Sequence, residues 1–205
     1  MKSKFETKQL VLLGLLTALV LVFSFTPIGS IPIGPLVITL NVIPIALAAV
    51  AMGPVGGGIV GAVFGICSFL QCIGIGVPSG MGAALFAINP LLAFIQRFVP
   101  RVLDGIIVGF IYKGVSKLAN GYAACFVTGF FSAFLNTVLF MSALVVLFGS
   151  TDYVQELIGG RNIIVFICSF VGINAVFEML ASTVITGAVG TALHKAKLIK
   201  SPARA

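Results

Sequence analysis

Residues 89–117 read NPLLAFIQRFVPRVLDGIIVGFIYKGVSK, and the fold turns on how this stretch is interpreted. It is long and mostly apolar, yet Gln96, Arg97, Arg101 and Asp104 lie in its interior. On a helix, Arg97, Arg101 and Asp104 recur at i, i+4 and i+7 and share one face. If the helix crosses a bilayer, that face cannot meet lipid, because each charge at depth costs at least about 2.5–3.5 kcal/mol. It must turn toward protein, toward its own charges or toward a ligand. Arg101 and Asp104, at i and i+3, suit a structural pair that orients the helix. Arg97 has no acid nearby in sequence, which makes it the candidate to meet an anionic ligand.

The remaining sequence supports the membrane reading. The chain is 60% hydrophobic and 8% charged, with no tryptophan, which is the composition of a membrane protein and not of a soluble core. Its 205 residues suit roughly six spans of about 20 residues, and are too few for a twelve-helix carrier. The expected fold is all-α: a six-transmembrane-helix bundle, one membrane domain over residues 1–205, with structured outer loops over a ligand pocket. The spans are placed at Gln9–Phe25, Ile43–Met52, Val55–Cys72, Pro90–Tyr112, Tyr122–Phe148 and Asn162–Leu193. Met1–Phe25 has the basic flank and apolar run of a signal peptide. The run is too long for one and no A-x-A site follows, so it reads as a retained span.

Between the spans, 26–42 (TPIGSIPIGPLVITLNV) holds Pro27, Pro32, Pro35, Gly29 and Gly34, which exclude a regular helix. It remains apolar, so it reads as a structured loop over the outer end of the bundle, either a lid or a packed connector. Gly53-Pro54 marks a tight turn. Residues 73–88 form a second candidate lid, and Gly149–Arg161 is the most polar loop. Gly56, Gly57, Gly58, Gly61 and Gly65 give a smooth helix face, but no GK[ST] follows, so this is not a phosphate loop. On the first span, Gly14 and Ala18 form a small-xxx-small pair that lets another helix approach closely, within the protein or from a partner.

Lysine and arginine positions set the topology. Lys2, Lys4, Lys8, Lys113, Lys117, Lys195, Lys197, Lys200 and Arg204 fall on the side of the two termini, and Arg161 on the other. The net charge of +7 is thus explained by cytoplasmic N- and C-termini in a multi-pass plasma-membrane protein, with lipid contacts and no nucleic acid partner. Tyr112 and Tyr122 then fall at the inner interface and Tyr153 near the outer one. From Asn89 at the outer end, Arg97 lies about 12 Å deep at 1.5 Å per residue. Gln71 and Asn89 sit at the rim, and Asn136 and Asn174 lie deeper. Polar groups from four spans converge there, the pattern of an occluded small-molecule pocket. The candidate ligand-binding set is Arg97, Gln96, Asn136, Asn174, Gln71, Asn89 and Asn41.

Catalytic signatures are missing from the sequence. It has no Walker motif, no H-E-x-x-H and no Ser/His/Asp set, and its single His194 lies at the cytoplasmic end. A carboxylate pair of Asp104 and Glu178 would be needed for a hydrolase, and nothing in the spacing requires it. Cys67, Cys72, Cys125 and Cys168 lie in apolar stretches and read as buried packing residues, with neither metal nor disulfide implied. The expectation is a non-enzyme without metal.

With six spans, a Pro/Gly loop before span two and a small-xxx-small first helix, the chain resembles the substrate-binding S components of energy-coupling factor vitamin transporters. The most specific parts are TLNVIPIALAAVAMGPVGGGIVGAVFG and CSFLQ. The later INPLLAFIQRFVPRVLDGIIVGFIYK is similar to the pantothenate-type branch. The resemblance implies a high-affinity vitamin-binding subunit that topples in the membrane to carry its vitamin inward. It docks on a transmembrane coupling subunit with two cytoplasmic ATPases, so ATP and Mg belong to the partners and this chain has no cofactor. The family docks through A-x-x-x-A on helix one, where this sequence has Gly14 and Ala18. Among the vitamins, a carboxylate suits the planar guanidinium of Arg97, and pantothenate adds an amide and hydroxyls for the amide side chains. Folate, riboflavin and biotin are alternatives, as is an independent small-solute carrier without ATPases.

Overall fold

The computed structural model describes residues 6–33 and 36–199. The calls on Lys2, Lys4, Gly34, Pro35, Lys200 and Arg204 lie outside the described residues. The order is α1 (Thr7–Phe25), β1 (Ser30–Ile33), β2 (Leu36–Thr39), α2 (Val42–Leu70), a 3-10 turn (Gln71–Ile73), α3 (Gly80–Ile88), α4 (Pro90–Leu118), α5 (Gly121–Phe148), α6 (Asp152–Ile158) and α7 (Ile163–Lys195). Among the described residues the fold is all-α apart from the antiparallel β1–β2 hairpin, in which Ser30 faces Thr39 in register. Pro32 is tolerated because a two-stranded ribbon leaves both strands an unpaired edge.

Among the described residues, four helical stretches are long and apolar enough to cross a membrane: Thr7–Phe25, Val42–Ile73, Gly121–Phe148 and Asn174–Lys195. Asp152–Ile158 and Ile163–Gly172, bent by 80°, make a fifth if counted together. Helix α4 is as long as these but carries Arg97, Arg101 and Asp104 mid-helix. Such a set of apolar helices marks a multi-pass membrane protein.

Helix α2 is interrupted at Gly53, whose backbone (φ 67, ψ −155) is not helical and is closed to side chains with a Cβ. A Cβ placed at Gly57 would lie 3.2 Å from the Ala49 Cβ, so the chain folds back on itself there. The second limb packs against α4 backbone to backbone. A Cβ at Gly57 would meet the Gly105 carbonyl oxygen at 2.2 Å, and one at Gly61 the Arg101 carbonyl oxygen at 2.3 Å. The glycine-rich face is therefore the seat of α4, which fixes where the arginines point.

The two candidate lids and the polar loop carry regular secondary structure. Ser30–Ile33 and Leu36–Thr39 pair as the hairpin strands. Ser79 caps α3, accepting the Gly82 N–H. The polar loop Gly149–Arg161 is corrected to a helix, α6, capped by Thr151 and ended by Gly159 in the left-handed region. Its buried Val154 and Ile158 sit at i and i+4, a signal masked by the polar residues between them. Two smaller corrections concern side chains. Cys168 is exposed, unlike Cys67, Cys72 and Cys125, because it falls on the outer face of α7. Tyr112 is packed inside the protein and not exposed at its surface, its hydroxyl 2.8 Å from His194 Nε2.

Candidate functional site

The sequence of α4 positions the site. Asn89 caps the helix, its Oδ1 accepting the N–H groups of Leu91 and Leu92, and Pro90 occupies the first turn, where its missing N–H is harmless. This sets the register that turns Gln96, Arg97, Arg101 and Asp104 inward, all of them buried.

Arg97 and Arg101 open into one cavity, walled also by Ser30 and Thr39 of the hairpin, Phe64, Ser68 and Gln71 of α2 and its 3-10 turn, and Ser79 and Met81 near α3. Asn136, Thr137 and Phe140 of α5 and Val171, Asn174, Ala175 and Glu178 of α7 complete the wall. The empty space, with its open mouth, is about 670 Å³. The guanidinium carbons of Arg97 and Arg101 lie 5.1 and 4.6 Å from the centroid of the Phe140 ring, and that of Arg101 lies 5.0 Å from the Phe64 ring. Aromatic faces hold cations without consuming their N–H donors. Arg97 Nη2 donates to Ser79 Oγ at 3.2 Å. Among the described residues, Arg97 Nε and Arg101 Nε and Nη1 have no hydrogen-bond partner. The result is a concave site rich in unused cationic donors, beside the amides of Gln71, Asn136 and Asn174.

The sequence-predicted residues divide. Arg97, Asn136, Asn174 and Gln71 are brought together in the cavity wall. Gln71 already donates through Nε2 to the Ser24 carbonyl at 2.8 Å, which leaves its own carbonyl for a ligand. Asn89 is exposed and serves as the α4 cap, outside the cavity wall. Asn41 is buried behind the hairpin, where Nδ2 donates to Ser24 Oγ and Thr39 Oγ1. Gln96 is fully buried, is not part of the wall, and neither amide atom has a partner among the described residues.

The expected direct Arg101–Asp104 pair is not made. Asp104 Oδ2 lies 3.4 Å from Ser132 Oγ, Asp104 Oδ1 is unpartnered among the described residues, and Arg101 turns to the two phenyl rings. Two residues at i and i+3 share a face only approximately, and Phe64 and Phe140 attract the guanidinium to the cavity side. Arg101 is therefore a cavity residue, as is Glu178; Asp104 is not part of the wall. The hairpin residues Ser30 and Thr39, together with Phe64 and Phe140, escaped the sequence reading. Spacing along one helix carries no information about which rings lie across from it.

Gly14 and Ala18 lie on the exposed side of α1, away from the buried row Leu16, Val20 and Ser24. A Cβ at Gly14 would meet nothing within 4 Å.

Residues 8–190 match the family model described as ECF transporter, substrate-specific component. The chain belongs to that family. No curated protein sequence matches it at a significant level. As an ECF substrate-specific component it is the substrate-binding membrane subunit of a transporter. The family implies a small-molecule substrate and ECF transporter partners.

Proposed function

We propose that this ECF substrate-specific component binds a small vitamin carboxylate in the α4 cavity, and that the vitamin is pantothenate. The observation that carries the reading is the pair Arg97 and Arg101, buried, held by Phe140, with donors left unpaired among the described residues. Buried N–H donors without acceptors are costly, and a carboxylate satisfies several of them at once with charge-assisted bonds. Arg97 is the primary carboxylate ligand. Gln71, Asn136 and Asn174 are suited to the amide and hydroxyls of pantothenate, and Gln96 and Asn41 support the wall from behind.

The subunit is one membrane domain of six spans, counting α4 and both limbs of α2, with its termini in the cytoplasm. It docks through Gly14 and Ala18 on the transmembrane coupling subunit, and two ATPases supply ATP and Mg. Native mass spectrometry of the detergent-purified chain against a vitamin panel tests this, since the absence of tryptophan denies an intrinsic fluorescence assay. Retention of one pantothenate is expected. Retention of folate, riboflavin or biotin instead overturns the choice of vitamin. Uptake by liposomes containing this chain alone overturns dependence on the coupling module.

A further inference from the structure

Glu178 sits where the cavity wall meets the β1–β2 hairpin. It is 5% exposed, and its Oε1 accepts the Thr39 backbone N–H at 2.7 Å, across 139 residues of chain. Thr39 ends β2 and is the register partner of Ser30, and both line the cavity. The contacts continue behind them through buried groups. Thr39 Oγ1 accepts from Asn41 N at 3.2 Å and from Asn41 Nδ2 at 3.1 Å, and Asn41 Nδ2 also donates to Ser24 Oγ at 3.2 Å. One polar chain thus joins α7, the hairpin, the start of α2 and α1.

A backbone N–H within a membrane bundle must find an acceptor, and non-helical backbone survives there only when buried in protein or lining a cavity. Glu178 supplies that acceptor to the hairpin base. With Oε1 committed to the Thr39 N–H, an ionised Glu178 would repel an anionic ligand, so the geometry favours a role toward the hairpin over one as a carboxylate ligand. Among the described residues, the other charged groups of the wall are Arg97 and Arg101.

We propose that Glu178 is a positioning residue, clamping the hairpin base to α7 so that Ser30 and Thr39 stay in the cavity wall and a bound ligand leaves slowly. The ligand part of this rests on the cavity being the binding site; the clamp itself does not. The test compares wild type, Glu178→Gln and Glu178→Met in the full chain. Gln keeps an acceptor oxygen, whereas Met fills the volume without one. Hydrogen–deuterium exchange of the segment 36–43, without ligand, should quicken about 10- to 100-fold in E178M, the range expected for losing a buried hydrogen bond, and stay within about threefold in E178Q. Unchanged exchange in E178M overturns the clamp. With pantothenate as the probe, the dissociation rate should rise roughly 10-fold in E178M and much less in E178Q, with association little changed. Equal losses in both variants would make Glu178 a charge contact and overturn the positioning role. If wild type binds no pantothenate, the vitamin assignment fails, while the exchange comparison still decides the clamp.

Discussion

Arg97 and Arg101 show how a membrane protein keeps cations at depth. Each lies over the Phe140 face, and among the described residues neither pairs directly with an acid. If Arg97 binds a carboxylate bidentately, Arg97→Ala should weaken pantothenate about 100-fold or more, because charge-assisted bonds contribute about 1.5–3 kcal/mol each. Arg97→Lys should recover only part of this, since an ammonium offers one point contact. Isothermal titration in detergent reads both; unchanged affinity in Arg97→Ala rejects the role. Asp104 gives the contrasting case. Its carboxylate meets Ser132 and not Arg101, so Asp104→Asn should leave the apparent melting temperature within a few degrees of wild type. A broken buried ion pair would cost about 3–5 kcal/mol instead, and a collapse of that size in the melting curve would restore the Arg101–Asp104 pair.

The folded-back α2 is what fixes α4. A Cβ at Gly105 would lie 2.0 Å from the Gly57 carbonyl oxygen, and backbone cannot move aside as a side chain can. Gly105→Ala should therefore destabilise the protein by about 1–3 kcal/mol or more, the range for overpacking. Gly114→Ala, on the same helix with open space around it, should be neutral or gain up to about 1 kcal/mol from helix propensity. Thermal unfolding of the two variants separates them, and equal behaviour would refute the close seam. A substitution at Gly53 should also destabilise, by about 1–3 kcal/mol, because φ 67, ψ −155 is a backbone region open essentially to glycine alone.

Across the whole molecule, the inward row of α1 packs on the core and the opposite row is open. If that open row is the docking surface, Gly14→Leu with Ala18→Leu should preserve vitamin binding within about threefold. It should reduce uptake with the coupling module more than about 10-fold, as expected when bulk replaces small residues at a helix contact. Binding assays on the subunit and uptake assays on the complex give the split. Loss of binding would make the pair a core contact. Topology has its own check. Single cysteines at Lys117 and Arg161, in a background without the native four, should react with an impermeant maleimide in intact cells at Arg161 alone.

The sequence by itself determined the membrane class, the inward placement of Arg97 and Arg101, and the break at Gly53. Each follows from a local rule: charges avoid lipid, residues at i and i+4 share a face, and a Gly-Pro step interrupts a helix. The cap of α4 is also legible, because Asn89-Pro90 before an apolar run is a start signal, and its amide serves the helix end and not the cavity rim. Only the tertiary structure decided that Phe64 and Phe140 receive Arg101 in place of Asp104, and that Ser30 and Thr39 enter the cavity wall. It also decided that Glu178 holds a strand 139 residues away. These contacts join residues far apart in the chain, and their energies depend on distances across helices that no single-helix periodicity encodes.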